Sequence, residues 1–300
     1  MNLKLAQHAE RFGLTMVDPE LFAIERRRSG KGHRICFCSG EKVADKRLKA
    51  RIKALVIPPA WTNVRICVEE NGHIQAIGRD EKGRLQYRYH DDWVNVRNAV
   101  KTERLLRFGR ALPKLRRRID KDLRRRTVDR QSTSAVATRL IDVAAMRPGH
   151  EKYAEDGGRG VASLRKQNLR IVKNVAVLKF IGKSNKENRI EIADKALVRS
   201  LQRVREGKGQ RLFRFPDPKK KKQRELTANL LNDYLREAAQ ARISAKDFRT
   251  FHGSAEALRF LIEEVGTTAD TEAKRKRAVA KAMRSVSEVL RNTPAVARSS

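Results

Sequence analysis

The first part of the chain alternates short apolar runs with turn signals, a pattern typical of a small sheet domain. Apolar residues at helical spacing in 43–55 predict one helix, which ends before the Pro58-Pro59 pair because proline cannot continue it. Short runs of β character follow at Val64–Val68, His73–Gly78 and Arg84–Tyr89. Asn71-Gly72 and Asp80–Gly83 separate these runs and are turn signals. The pattern predicts a twisted antiparallel sheet of at least three strands.

The pattern becomes helical from Asp92 to about Met146. One apolar stripe recurs at intervals of three and four residues, formed by Leu112, Leu115, Ile119 and Leu123. The remaining positions of this stretch are mostly cationic. They are either the solvated face of an amphipathic helix or a surface that lies along phosphates, and the net charge of the chain favours phosphates.

The period changes again in 159–192, where we expect strands at Leu169–Val172, Val175–Ile181 and Arg189–Ile192. Further helices are predicted at 194–205, 226–240, 244–265 and 270–291. Phe213–Pro218 is interpreted as a loop, followed by an exposed basic run at Lys219–Lys222. The fold class is therefore α+β. We expect an N-terminal domain over 1–92, with its boundary near Trp93, and a mainly helical domain with a small sheet over 93–300.

Charge indicates the kind of partner. Lys and Arg number 69 and Asp and Glu 35, which leaves a formal net charge of +34, while 40% of the residues are hydrophobic. A field of this size destabilises the folded state by self-repulsion unless a polyanion neutralises it. Solvated cations also keep proteins soluble, but an excess this large beside a normal core favours nucleic acid as the partner.

Several classes of protein are disfavoured. No apolar run reaches the length of a signal peptide or the ~20 residues of a membrane span, so we expect a cytoplasmic, nucleoid-associated protein that does not bind membranes. The three cysteines, Cys36, Cys38 and Cys67, fit free thiols. Cys36 and Cys38 alternate on a probable strand and should face one side, but a metal site would need two further ligands.

Familiar catalytic motifs are absent from the sequence: there is no Walker loop, no GxGxxG after a strand and no HExxH. We therefore expect neither a metal nor a nucleotide cofactor. Three cations stand in unusual places instead. Arg147 lies at a break between helix and loop, Lys183 at a hairpin tip, and Arg249 among residues that look buried. Each alone has an ordinary structural interpretation, as a helix-end charge, a turn lysine or an ion pair.

Together these residues resemble type IB topoisomerases of the compact poxviral and bacterial kind. The N-terminal segments that resemble the family's DNA-clamping domain are IPPAWTNVRI, GHIQAIGRD and KGRLQYRYH. The C-terminal segments that resemble its catalytic motifs, in the family's order, are MRPGHEKY, LRKQNLRI, KFIGKSNKE, KDFRTFHG and LRNTPAVARSS. The resemblance runs from about Ile24 to Ser300, and it implies two domains that clamp duplex DNA.

The resemblance implies a role for each residue of the catalytic motifs. Arg147 and Arg249 resemble the arginines that hold the scissile phosphate, for which a planar, bidentate guanidinium is suited. Lys183 resembles the general acid that protonates the departing 5′ oxygen. Asn292 stands where poxviral members have histidine, and its amide can donate to a phosphate oxygen but cannot titrate. The implied DNA contacts are Gln86, Tyr87, Tyr89, Tyr153 and Lys246.

Two positions depart from the family's pattern. The nucleophilic tyrosine is expected one residue beyond Ser300, and none of the four tyrosines present stands in that motif. We therefore expect the chain as given to bind DNA without forming an adduct, and we expect an incomplete C-terminus rather than a natural pseudoenzyme. Arg291 occupies a position where we expect glycine, and either adds a phosphate contact or disturbs the local turn.

Two alternatives remain. A tyrosine recombinase shares this chemistry but usually has histidine three residues before the second arginine, where this chain has Lys246. A basic, non-enzymatic DNA-binding protein explains the charge but not the ordered motifs. The sequence therefore predicts a monomeric, metal- and ATP-independent type IB topoisomerase acting on double-stranded DNA.

Overall fold

The computed structural model describes residues 3–30, 32–149, 158–217, 220–266 and 269–299. The chain divides into two units, an N-terminal unit over Met1–Glu103 and a C-terminal unit over Arg104–Ser300. The division falls inside one long helix, α3, which spans Trp93–Leu123.

The N-terminal unit contains one antiparallel sheet. Its strands are β1 (Ile24–Ser29), β2 (Gly32–Phe37), β3 (Thr62–Ile66), β4 (Ile74–Arg79) and β5 (Leu85–Tyr89). They lie in the order β2-β1-β3-β4-β5, so the predicted three-strand meander β3-β4-β5 is confirmed and a β1–β2 hairpin extends it. Its helices are α1 (Leu3–Arg11) and α2 (Lys46–Ala54).

Alternation along the strands builds the core of this unit. Ile24, Val64, Ile66 and Ala76 all point inward and are at most 2% exposed. They pack with Ile52 of α2, whose helix begins at an Asp45 cap that accepts from two backbone N–H groups. The predicted helix at 43–55 is therefore confirmed, with its start placed by the cap.

Helix α3 and the helix after it account for the predicted helical stretch. The apolar stripe is confirmed, since Leu112, Leu115, Ile119 and Leu123 are all buried in the core of the C-terminal unit. The stretch is not one helix, however. Asp129 forms a capping box and starts a second helix, α4 (Arg130–Ala144), most of whose residues are buried.

The C-terminal unit combines helices with two small sheets. Its other helices are α5 (Lys195–Glu206), α6 (Ala228–Ala239), α7 (Ala245–Phe260), α8 (Glu272–Leu290) and α9 (Pro294–Ser299). Its strands are β6 (Leu169–Val172), β7 (Val175–Ile181), β8 (Glu187–Ile192), β9 (Arg214–Asp217) and β10 (Lys220–Glu225). The antiparallel sheet β6-β7-β8 packs its apolar face onto α4 and α5 and so presents the β7–β8 turn beside the end of α4.

One prediction from the sequence is wrong. The segment interpreted as the loop Phe213–Pro218 contains β9, which pairs with β10 in the stretch interpreted as an exposed basic run. The pairing buries Phe215 against the main core, a tertiary contact that local turn signals do not reveal. Cys36 is buried and Cys38, one residue beyond the end of β2, is exposed, and the expectation that both face one side stays a prediction.

The part of the chain that the structure describes includes no helix long and apolar enough to cross a membrane.

Candidate active site

A cationic pocket, here called the arginine pocket, opens in the C-terminal unit where the ends of α4 and α8 meet α7 and the β7–β8 turn. Its lining residues are Ala145, Met146, Arg147, Arg159, Phe180, Gly182, Lys183, Asn188, Ile190, Arg249, Leu290 and Arg291. The structure therefore brings the three predicted cations Arg147, Lys183 and Arg249 to one place. Five of the residues that line the pocket are cationic and, among those described, none is acidic.

The end of α4 sets the position of Arg147. Ala145 adopts the left-handed conformation with φ 47° and stops the helix, and Pro148 prevents it from resuming. The carbonyl of Arg147 then accepts from the N–H of Val161 at 2.9 Å. This hydrogen bond joins the chain that leaves α4 to the segment that leads into β6.

Two glycines allow these two backbone segments to come this close. Gly149 has φ +79°, a conformation that favours glycine. A Cβ on Gly160 would lie 2.4 Å from the Cα of Gly149 and 2.7 Å from the carbonyl oxygen of Arg147. Only glycine at Gly160 therefore allows the two backbones to approach this closely.

Arg249 lies on α7, one turn after the helix begins. The neighbouring Phe248 is fully buried, with its ring edge-on to Phe108 at a centroid separation of 4.9 Å. The Arg249 guanidinium donates through Nη1 to the carbonyl of Ala145 and through Nη2 to that of Leu290, the latter at 2.8 Å. One side chain thus links the C-terminal ends of α4 and α8, whose free carbonyls carry partial negative charge.

Arg249 also lies close to two other arginines of the pocket. Burial, and then the neighbouring guanidinium groups of Arg147 and Arg291, lower the pKa of Arg249 to about 10. Burial likewise lowers the pKa of Arg147 and of Arg291. All three remain charged at neutral pH. No carboxylate among the described residues forms an ion pair with any of them, so an anion entering the pocket meets concentrated positive charge that little solvent screens.

Lys183 stands at the β7–β8 turn, as predicted. It opens a short 3-10 turn, Lys183–Asn185, and its side chain is exposed. Gly182 precedes it, and a Cβ there would lie 2.6 Å from Nδ2 of Asn188. Asn188 in turn donates to the carbonyl of Lys186 at 2.8 Å and closes the turn. Lys183 therefore lies on a tightly closed turn beside the pocket.

The end of α8 places Arg291, not Asn292, in the lining of the pocket. Arg291 has φ 50°, which explains why glycine was expected there, and its Nη1 donates to the carbonyl of Ala144 at 2.6 Å. The backbone N–H of Asn292 donates to Ser287 at 3.0 Å, and its buried Oδ1 has no hydrogen-bond partner among the described residues.

Arg159 is a lining residue that sequence reasoning missed. Its N–H donates to the carbonyl of Ile181 at 2.7 Å, which ties it to the end of β7, and its Nη1 donates to that of Ser163 at 3.3 Å. The available signal was its position directly before Gly160, a glycine that a close backbone contact requires.

A buried carboxylate contacts two of the helices next to the pocket. Asp142 of α4 accepts from Nε and Nη2 of Arg116, both at 2.9 Å, and lies 3.5 Å from Nε2 of His252 on α7. Burial raises the pKa of Asp142, but the His252 ring and the Arg116 guanidinium lower it by more, to about 2. Asp142 thus joins α3 and α4 one turn before Arg147, beside the helix that carries Arg249.

Comparison with known proteins identifies the family. Residues 91–300 match the family described as "Eukaryotic DNA topoisomerase I, catalytic core", and residues 35–80 match "Bacterial DNA topoisomerase IB, N-terminal domain". A DNA topoisomerase 1B of Acanthamoeba polyphaga mimivirus is 31% identical over 88% of this chain and 80% of its own length. The chain belongs to the type IB DNA topoisomerase family.

Other similarities are more limited. The DNA topoisomerase 1B of Vaccinia virus (strain Copenhagen) is 28% identical over 36% of this chain and 34% of its own. Among solved structures, a XerH site-specific recombinase bound to a palindromic difH substrate covers 60% of this chain and 50% of its own at 15% identity and a TM-score of 0.35.

The predicted DNA contacts of the N-terminal unit lie on β5. Tyr87 and Tyr89 share one face, as alternation predicts, with ring centroids 5.8 Å apart, and Tyr89 stacks on Trp93 at the same separation. Tyr87 is 43% exposed, whereas Tyr89 is partly buried. Gln86 donates to Oδ2 of Asp80 at 2.8 Å. This face therefore presents one open aromatic ring supported by a stack.

The remaining predicted contacts have different outcomes. Lys246 is exposed in the first turn of α7, three residues before Arg249. Tyr153 lies outside the described residues. Tyr234 is 2% exposed, and its hydroxyl donates to Oδ2 of Asp122 at 3.0 Å, so burial and this carboxylate raise its pKa. At this degree of burial, the Tyr234 hydroxyl is not accessible to a phosphodiester.

Proposed function

We propose that the chain, joined to a nucleophilic tyrosine, relaxes supercoiled duplex DNA by single-strand transesterification, with both units binding the same duplex. The observation that carries the proposal is the arginine pocket, where five cations converge with no carboxylate among the described lining residues. Such a pocket costs free energy when empty, and a phosphodiester that spreads negative charge over its oxygens during reaction offsets that cost.

Arg147 and Arg249 are proposed to hold the two non-bridging oxygens of the reacting phosphate. Arg249 has already committed two donors to the carbonyls of Ala145 and Leu290, so its orientation is fixed before DNA arrives. A preorganised guanidinium stabilises developing charge without reorganising at the moment of reaction.

Lys183 is proposed to act as the general acid. Its exposed side chain stands on a closed turn that lines the pocket, where its ammonium group can reach a departing oxygen. A tyrosine oxygen would bond to phosphorus while its own proton passes to solvent, the P–O5′ bond would break, and the proton of Lys183 would pass to the 5′ oxygen. Religation reverses each step, so the reaction conserves bond energy and needs no ATP.

Asn292 is proposed to donate its amide to a phosphate oxygen. Its buried Oδ1 has no hydrogen-bond partner in the described part of the chain, which supports an amide that DNA binding reorients. Gln86, Tyr87, Tyr89, Tyr153 and Lys246 are proposed DNA contacts, and the exposed ring of Tyr87 supports this most directly. We propose further that a single copy acts on DNA in the cytoplasm at the nucleoid.

Salt dependence of DNA binding tests the electrostatic part of the proposal. With at least six phosphates contacted, a plot of log affinity against log salt should have a slope of about −5 or steeper. A slope shallower than about −2 would contradict it.

Cleavage tests the chemical part. The family resemblance places the nucleophile after Ser300, so the test compares the chain as given with one extended by a tail that begins with tyrosine. The extended chain should relax supercoiled DNA in EDTA, and the unextended chain should bind without forming an adduct. In the extended chain, Arg147→Ala, Lys183→Ala and Arg249→Ala should each slow cleavage about a hundredfold or more.

Matched controls separate the roles. Lys179 is exposed on β7, the strand that leads to the turn with Lys183, and it does not line the pocket, so Lys179→Ala should cleave at the parental rate. A 5′-thiolate leaves with little need for a proton, so a 5′-thio substrate should rescue Lys183→Ala selectively. Equal rescue of all three slow variants would refute the assignment, and an adduct formed by the unextended chain would show that the nucleophile lies elsewhere.

A further inference from the structure

The arginine pocket holds more positive charge than one phosphodiester can neutralise. A single phosphodiester carries one negative charge, and a pentacoordinate phosphorane carries about two. Arg147, Lys183 and Arg249 already supply three cations for it. Arg159 and Arg291 add two more, and neither forms an ion pair with any carboxylate that the structure describes.

Arg291 is a charged residue at a position whose backbone conformation favours glycine. Its φ of 50° suits glycine, yet the side chain is half-buried and reaches back across the end of α4 to Ala144. That single hydrogen bond uses one of the five N–H donors of a guanidinium. The other donors are free to bind an oxygen on the side of the pocket where α8 meets Arg249.

Arg159 lies on another side of the pocket. It is anchored to Ile181 at the end of β7 and to Ser163. Burial lowers the pKa of Arg159 most, and the charges of Arg165 and Arg211 lower it further. The charges that lower the pKa of Arg249 are those of Arg147 and Arg291. Arg159 therefore belongs to the strand side of the pocket and Arg291 to the helix side.

Neighbouring phosphates of one DNA strand are the anions that such an arrangement fits. They follow one another about every 3.4 Å along the duplex axis, so a strand that places one phosphate in the pocket brings its neighbours to the pocket rim. We propose that Arg159 and Arg291 each bind one of the two phosphates flanking the reacting one, so that the pocket takes three consecutive phosphates. The inference rests on the proposed function, since it assumes that Arg147 and Arg249 hold the central phosphate.

The test uses the chain as given and a fluorescent thymidine tetranucleotide, which has three phosphates. Three further probes carry one uncharged methylphosphonate each, at the 5′, middle or 3′ position. Binding is measured for the parent chain and for Arg147→Ala, Arg159→Ala and Arg291→Gly, the last chosen because glycine fits the backbone. Arg277→Ala is the control, an exposed cation of α8 outside the pocket. Circular dichroism checks that every variant is folded.

The parent chain should lose about tenfold in affinity whichever phosphate is neutralised, and Arg277→Ala should show the same pattern. Arg147→Ala should lose less affinity than the parent on the middle substitution, because Arg249 and Lys183 still contact that phosphate. Arg159→Ala and Arg291→Gly should each be insensitive to one terminal substitution, a different one for each, and each should make the salt slope shallower by about 0.7.

The outcomes distinguish two kinds of failure. If Arg159→Ala or Arg291→Gly keeps the parental pattern, or becomes insensitive at the middle position, the flanking-phosphate inference is overturned. If Arg147→Ala also keeps the parental pattern, the pocket does not hold a phosphate and the proposed function itself fails.

Discussion

Replacing Asp142 with asparagine removes one charge from the buried contact that joins α3 to α4 beside α7. The Asp142 side chain is 3% exposed and accepts two hydrogen bonds from Arg116. Its pKa falls from 3.8 to about 2 on folding. That difference corresponds to about 2.5 kcal/mol of stabilisation at neutral pH. Asp142→Asn keeps the shape of the side chain and should lose about this amount.

The effect should depend on pH in a defined direction. Because the folded carboxyl has the lower pKa, its stabilisation is complete above about pH 5 and is lost as pH falls towards 2. The difference between the parent and Asp142→Asn should fall to roughly half by about pH 3, and it should vanish below about pH 2.

Two optical signals make the measurement specific to the C-terminal unit. Both tryptophans, Trp61 and Trp93, belong to the N-terminal unit, so tryptophan fluorescence follows that unit. Far-UV circular dichroism is dominated by the helices of the C-terminal unit. In urea at pH 7, Asp142→Asn should shift the dichroism transition to lower denaturant and leave the fluorescence transition in place.

A matched control is Asp233→Asn, because Asp233 pairs with Arg236 at an exposed site and should contribute little. A dichroism transition unchanged by Asp142→Asn at pH 7 would refute the reasoning. So would a stability difference of the same size at pH 7 and at pH 3.

Three further changes have definite expected results. Tyr234→Phe removes a buried hydrogen bond to the Asp122 carboxylate, so it should lower the free energy of urea unfolding by about 1.5–3 kcal/mol. It should leave DNA binding intact, and weakened binding by a folded variant would contradict a purely structural role for Tyr234. Gly160→Ala should cost about 1–3 kcal/mol and weaken DNA binding, since its Cβ would displace the backbone of Gly149; an unchanged melting temperature would show that the close contact is not obligatory. Tyr87→Ala should weaken duplex binding several-fold without shifting the thermal transition, and loss of that transition would mean that the ring is a core residue.

Local pattern was sufficient for much of this chain. The stripe from Leu112 to Leu123 predicts its buried face because side chains three and four residues apart on a helix lie together. Turn signals at Asn71-Gly72 and Asp80–Gly83 separate β3, β4 and β5 as expected, since such turns depend on the residues within them. The ordered motifs around Arg147, Lys183 and Arg249 indicated the family because spaced motifs in order rarely occur by chance.

Other features depend on contacts between residues that are distant in the chain, and only the tertiary structure decided them. β9 forms because pairing with β10 buries Phe215, although its own sequence resembles a loop. Asp142 is buried because Arg116, 26 residues earlier, reaches it from α3. Arg159 and Arg291 line the pocket because a glycine contact and a helix end bring them there. Sequence spacing cannot supply such positions, since charge and burial depend on the partners that folding brings within a few ångströms.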